Sequence, residues 1–134
     1  ITDDANIPTI FEYILGIAWY RISGKKGNIL DYMNLSLDAN FLPKTHAGGG
    51  MADIVYKYDK DTYPKHDLLI EATISESTGQ RVMEMEPVSR HLGENIKLTD
   101  NLNDYALFIA PNLEERIILD FRNMKTRFYP KGNG

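Results

Sequence analysis

Between Pro8 and Gly24 the apolar residues Ile10, Phe11, Ile14, Leu15, Ala18 and Trp19 recur at helical spacing, and Pro8 suits a helix's first turn. The pattern predicts a first helix that stops before Gly24 and buries that stripe. Residues 28–37 are expected to form a short second helix, followed by a loop from Pro43 through the run Gly48, Gly49 and Gly50. Residues 53–58 and 68–71 then read as two strands, separated by a polar, proline-containing connection that suits a hairpin. A helix over 80–95, an apolar strand over 105–110 and a last helix from about 113 complete the chain. Leu113, Ile117, Ile118, Phe121 and Met124 fall on one side of that last helix and are expected in the core. Helices and strands in this order predict an α/β sandwich, a small mixed sheet flanked by helices. No repeat or internal boundary divides residues 1–134, so they read as one domain.

The acids on the two hairpin strands change the picture from fold to chemistry. If the strands pair about a centre near Asp61 and Thr62, facing residues have numbers summing to about 124, which sets Asp53 opposite Glu71. Directly opposed residues have Cβ atoms about 4.5–5.5 Å apart, and like charges placed so are destabilising. A shared cation removes that cost, and hard oxygen donors suit Mg²⁺. At roughly 100° per residue, Gln80, Glu84, Pro87 and His91 share one stripe of the 80–95 helix, bringing an amide, an acid and an imidazole to one face. Val82, Met85 and Leu92 lie on its other faces. Pro87 threatens the alignment of Glu84 with His91, because an interior proline removes a hydrogen bond and kinks a helix. Taken singly these residues mean little, since a glutamate at a strand end is usually solvated and a glycine run is usually a turn. No Lys-Ser or Lys-Thr follows the glycines to make a P-loop. Their joint placement is what points to a metal-dependent nuclease site.

Gly48-Gly49, three residues, Asp53, and a second carboxylate eighteen positions on at the end of an apolar strand resemble the PD-(D/E)xK nuclease superfamily. The run Met83-Glu84-Met85-Glu86-Pro87-Val88-Ser89-Arg90-His91-Leu92 is similar to that of the type IIS restriction endonucleases, FokI-like and AlwI-type, and of their nicking relatives. The likeness extends from about residue 12 to about residue 110. It implies that Asp53 and Glu71 are metal ligands and that the Ala72 carbonyl is a third. It implies that Glu12, on the first helix, reaches the cation's water shell, and that Glu84 and His91 approach the site. The cofactor would be Mg²⁺, with Mn²⁺ able to substitute, and the reaction would be hydrolysis of a DNA phosphodiester to a 5′ phosphate and a 3′ hydroxyl. The superfamily's lysine two residues after the second acid is Thr73 here. Threonine supplies no cation, so Gln80, Glu84 and His91 are the candidates to replace it. Two alternatives stay open: another PD-(D/E)xK nuclease, acting in repair or junction resolution, and a noncatalytic module for dimerisation or DNA binding.

Charge and composition bear on partners. Net charge is −4, unfavourable for holding double-stranded DNA unaided, because nonspecific affinity comes mainly from Lys and Arg meeting phosphates. A recognition domain or larger subunit outside this sequence is therefore expected, and Ile1 in place of methionine suggests a domain from a longer protein. A dimer could form during double-strand cleavage. Arg116, Arg122, Lys125, Arg127 and Lys131 gather toward the C-terminus with Asp120 as the only acid after Arg116, forming either a phosphate-contacting edge or a solvated tail. The chain has no cysteine, which excludes disulfides and Cys-based zinc sites and suits a cytoplasmic protein. No run is apolar enough to span a bilayer, no signal peptide is evident, and no membrane partner is expected.

Overall fold

The computed structural model describes residues 5–47, 51–59, 62–75 and 77–124, with the side chains of 77–83 and 124 outside the description. Its elements are α1 (Ile7–Ile22), a 3-10 turn (Ile29–Tyr32), β1 (Ser36–Leu37), β2 (Pro43–Thr45), β3 (Ile54–Tyr58), β4 (His66–Ala72), α2 (Ser77–Thr99), β5 (Tyr105–Ile109) and α3 (Glu115–Met124). β1 and β2 form a small antiparallel pair, and the main sheet has the order β3, β4, β5. β3 runs antiparallel to β4, whereas β5 is parallel to β4, with α2 as the crossover between them. The expected small mixed α/β architecture is therefore what the chain adopts. Among the described residues, no helix is long and apolar enough to cross a membrane.

α1 starts where Asn6 caps it, the Asn6 side chain accepting from the Thr9 amide at 3.0 Å, with Pro8 in the first turn. It ends at Ile22, ahead of Gly24, whose positive φ carries the chain out of the helix. Its buried face differs from the expected stripe: Thr9, Glu12 and Gly16 are buried, while Ile14 is exposed and the remaining stripe residues are half-buried. Close approach explains this. A Cβ on Gly16 would stand 2.8 Å from Ile54 Cδ1 and 3.0 Å from Met33 Cε, so any larger residue here must push those side-chain ends aside. The Tyr56 hydroxyl donates to the Gly16 carbonyl at 2.5 Å and fixes the contact. Glu12, one turn earlier on the same face, is thereby directed to the end of the sheet where β3 begins.

Ile54, Tyr56, Leu68 and Ile70 form the core on the α1 side, with Trp19 and Tyr20 packed against it. β4 is the central strand and is longer than expected, taking in His66 and Asp67. Its residues 67–71 are all buried, so the alternation of a half-exposed strand is absent. α2 covers the other face, where Asn95 donates to Asp67 at 3.1 Å and to Asp104 at 3.0 Å.

Three local expectations are corrected. Residues 28–37 hold the 3-10 turn and the short strand β1 in place of a helix: Met33 bridges Ile54, and Asn34 is tied to the chain at Asp53, so this segment follows the edge of β3 instead of coiling. Residues 43–45 pair as β2 where a loop was expected. The last helix, α3, starts at Glu115, so Leu113 precedes it; of the expected core residues only Ile117 is fully buried, Leu113 and Ile118 are exposed and Phe121 is half-buried, while the Met124 side chain lies outside the description.

Candidate active site

The hairpin register is the expected one. Ile54 pairs with Ile70, Val55 with Leu69 and Tyr56 with Leu68, each pair summing to 124. Asp53 and Glu71 stand one step beyond the Ile54–Ile70 pair, at the end of the hairpin away from its turn. Three bonds hold Asp53 there. The Asn34 amide donates to its carbonyl at 2.8 Å, Asn34 Nδ2 donates to the Ala52 carbonyl at 2.9 Å, and the Ala47 amide donates to Asp53 Oδ1 at 2.8 Å. Gly48, Gly49 and Gly50 lie outside the described residues.

Glu71 is 7 % exposed and meets His91 Nδ1 at 2.7 Å. Burial, reinforced by Arg90 beside it, lowers the His91 pKa, so the imidazole is neutral at neutral pH and the contact is a hydrogen bond and not an ion pair. α2 runs through Pro87 without interruption, and both Glu84 and His91 reach the strand end. The Thr73 hydroxyl donates to Glu84 Oε1 at 2.9 Å and accepts from the Ser75 amide at 3.0 Å. The position of the superfamily lysine thus holds a buried hydroxyl that orients Glu84. Ala72 closes β4 opposite Ile109. The side chain of Gln80 lies outside the described residues.

Glu12 enters from the α1 side, only 6 % exposed. Burial, then the charge of Asp53 and a hydrogen bond with it, then Glu71 and Glu84, push its pKa up to about 9. Burial, followed by Asp53 and Glu84, pushes Glu71 up to about 8, with Arg90 opposing. Among the described residues no lysine or arginine forms an ion pair with Glu12, Asp53, Glu71 or Glu84. Four carboxyls therefore converge at one strand end with histidines as their ring partners. A buried carboxylate needs a partner, and this cluster meets that need with protons or with a cation.

The sequence reading missed His46. Its Nδ1 lies 3.0 Å from Glu12 Oε2, and the Thr9 hydroxyl flanks the ring at 3.3–3.4 Å. The available signal was its place just ahead of the glycine run, seven positions before Asp53, where a returning loop sets it beside that acid.

This arrangement of acids sits on a chain that the AlwI restriction endonuclease family matches over residues 1–133. The chain belongs to that family. Among solved structures, the AlwI-family chain is similar to the small subunit (R.BspD6I2) of the heterodimeric restriction endonuclease R.BspD6I, with 22% sequence identity and a TM-score of 0.55. The similarity covers 78% of this chain and 62% of that subunit, and at this identity it shows a shared fold. No curated protein matches the sequence.

Proposed function

We propose that this AlwI-family chain is the cleavage domain of a restriction or nicking endonuclease, which hydrolyses a DNA phosphodiester with Mg²⁺ as cofactor and Mn²⁺ as a substitute. The observation that carries the reading is the meeting of Asp53, Glu71, Glu12 and Glu84 at one strand end without a basic ion-pair partner among the described residues. The donor chemistry fits a hard divalent cation. Asp53, Glu71 and the Ala72 carbonyl would hold it, with Glu12 above them on α1. Such a cation supplies Lewis acidity to the scissile phosphate and the attacking water, and stabilises the leaving 3′ oxygen.

The protein's own residues do the positioning. Glu71 is fixed by His91, and Glu84 by Thr73. His91 and Glu84 are the groups able to orient a water and accept its proton where Thr73 leaves no lysine. Glu84 and His91 sit seven residues apart on one helix face and reach Thr73 and Glu71 at the end of β4.

The net charge of −4 supports sequence recognition outside this chain, in a further domain or a partner subunit. The similarity to one subunit of a heterodimeric enzyme supports a partner of that kind. One such domain acting alone would nick; two acting together would cut both strands. The test is cleavage of a cognate plasmid by the full-length protein. Cutting with Mg²⁺ or Mn²⁺ that stops in EDTA is expected; undiminished cutting in EDTA removes the reading, and no cutting with either cation turns it to a noncatalytic module.

A further inference from the structure

His46 has no part in the chemistry above, yet its ring stands between two carboxylates. One donor atom from each of Glu12, His46 and Asp53 lies within 4.8 Å of the other two. The three arrive from separate elements: Glu12 from α1, His46 from just after β2, and Asp53 from just before β3. The placement is built. Ala47, next to His46, donates its amide to Asp53, and buried Thr9, one turn before Glu12, flanks the imidazole with its hydroxyl. A hydrogen-bond partner that fixes the ring is the usual companion of a metal-binding histidine. The His46 side chain is 48% exposed, so the cluster opens to solvent on this side and has an entry path.

This set differs in kind from the oxygen donors of Asp53, Glu71 and Ala72. Carboxylate, carbonyl and water suit Mg²⁺, whereas an imidazole nitrogen favours first-row transition metals. We propose that Glu12, His46 and Asp53 form a second cation position, with one nitrogen and two carboxylate donors, that takes Mn²⁺ and other transition-metal divalent cations ahead of Mg²⁺. The proposal rests on the reading of Asp53 as a cation ligand, and it does not require DNA cleavage. The chain would then hold a transition metal on the α1 side and Mg²⁺ on the α2 side of a shared Asp53.

The test reads binding. Mn²⁺ is titrated into the chain by calorimetry, and the bound ion is examined by pulsed EPR for hyperfine coupling to an imidazole nitrogen. Wild type and Glu71→Gln should both show the coupling. His46→Ala should lose it, and its Mn²⁺ affinity should fall by roughly 10–100-fold, the range seen when partners of metal ligands are removed. Mg²⁺ affinity should be unchanged in His46→Ala. His46→Asn, which keeps a polar side chain of similar size, should show the same loss, and circular dichroism should match wild type for both. Coupling that survives in His46→Ala and vanishes in His91→Ala would overturn the proposal, as would an unchanged Mn²⁺ affinity in both His46 variants. Mg²⁺-dependent cleavage with no nitrogen coupling in wild type would overturn this proposal alone. Coupling in wild type without any cleavage would overturn the nuclease reading alone.

Discussion

Glu71→Gln should flatten the pH dependence of stability in the cation-free protein. Folding raises the Glu71 pKa from 4.5 to about 8, so the native state binds a proton that the unfolded chain has released. For a pKa raised on folding, the linked stability is fully present below 4.5 and is lost as pH rises through about 8. Between pH 5.5 and 8.5, linkage with these two pKa values gives a loss of about 3 kcal/mol from this one group. For a chain of this length that is on the order of 10 °C in Tm. Glutamine keeps the shape of the protonated acid and cannot ionise, and it also relieves Glu12 of one neighbouring charge. The assay is thermal unfolding by circular dichroism at pH 5.5, 7.0 and 8.5 in EDTA, then with Mg²⁺. Wild type should lose Tm steeply with pH in EDTA and regain it with Mg²⁺ at pH 8.5 more than at pH 5.5. Glu71→Gln should be flatter and gain less from the cation. Equal slopes for the two proteins would refute the reasoning.

Removing Glu84 or His91, the groups proposed to take the place of the absent lysine, should cost rate and spare metal binding: Glu84→Gln and His91→Ala should each lower single-turnover cleavage by about 10²–10⁴-fold. Parental rates for both would make α2 merely structural, and Thr73→Lys in the His91→Ala background should restore part of the loss if a lysine can serve in this site. Gly16→Val should destabilise by about 1–3 kcal/mol in urea unfolding, because its side chain meets Ile54 and Met33. An unchanged midpoint would show that those side-chain ends give way without cost. DNA binding by the isolated chain should be weak and fall steeply with salt in gel-shift titrations. Tight binding to one particular duplex at about 0.15 M salt would place recognition within this chain.

What the sequence made legible was set by local symmetry and by strong punctuation. The register that opposes Asp53 and Glu71 follows from a hairpin folding about its own centre, and Pro8 and Gly24 bracket α1 for backbone reasons that hold in any context. The 84-to-91 spacing survives Pro87 because the helix continues through it. What stayed hidden depends on tertiary contact. Periodicity assumes that apolar residues face inward, but α1 buries Thr9, Glu12 and Gly16, since its inner face serves a close approach and an acid site. Asn34 gives no local sign that it clamps Asp53, and His46 joins the acids only because the loop after β2 returns to them. Thr73 signalled a missing lysine in sequence, but its bond to Glu84 is visible only in the fold. The Gln80 side chain and Lys125, Arg127 and Lys131 fall outside the described residues.

The central claim is that Asp53 and Glu71 carry a cation-dependent cleavage that is separate from recognition. Single-turnover cleavage and gel-shift binding of one cognate duplex, measured side by side for full-length wild type, Asp53→Ala and Glu71→Ala with Mg²⁺, test it most directly. Both variants should bind the duplex as wild type does and leave it uncut. Near-normal cutting by either variant would contradict the account.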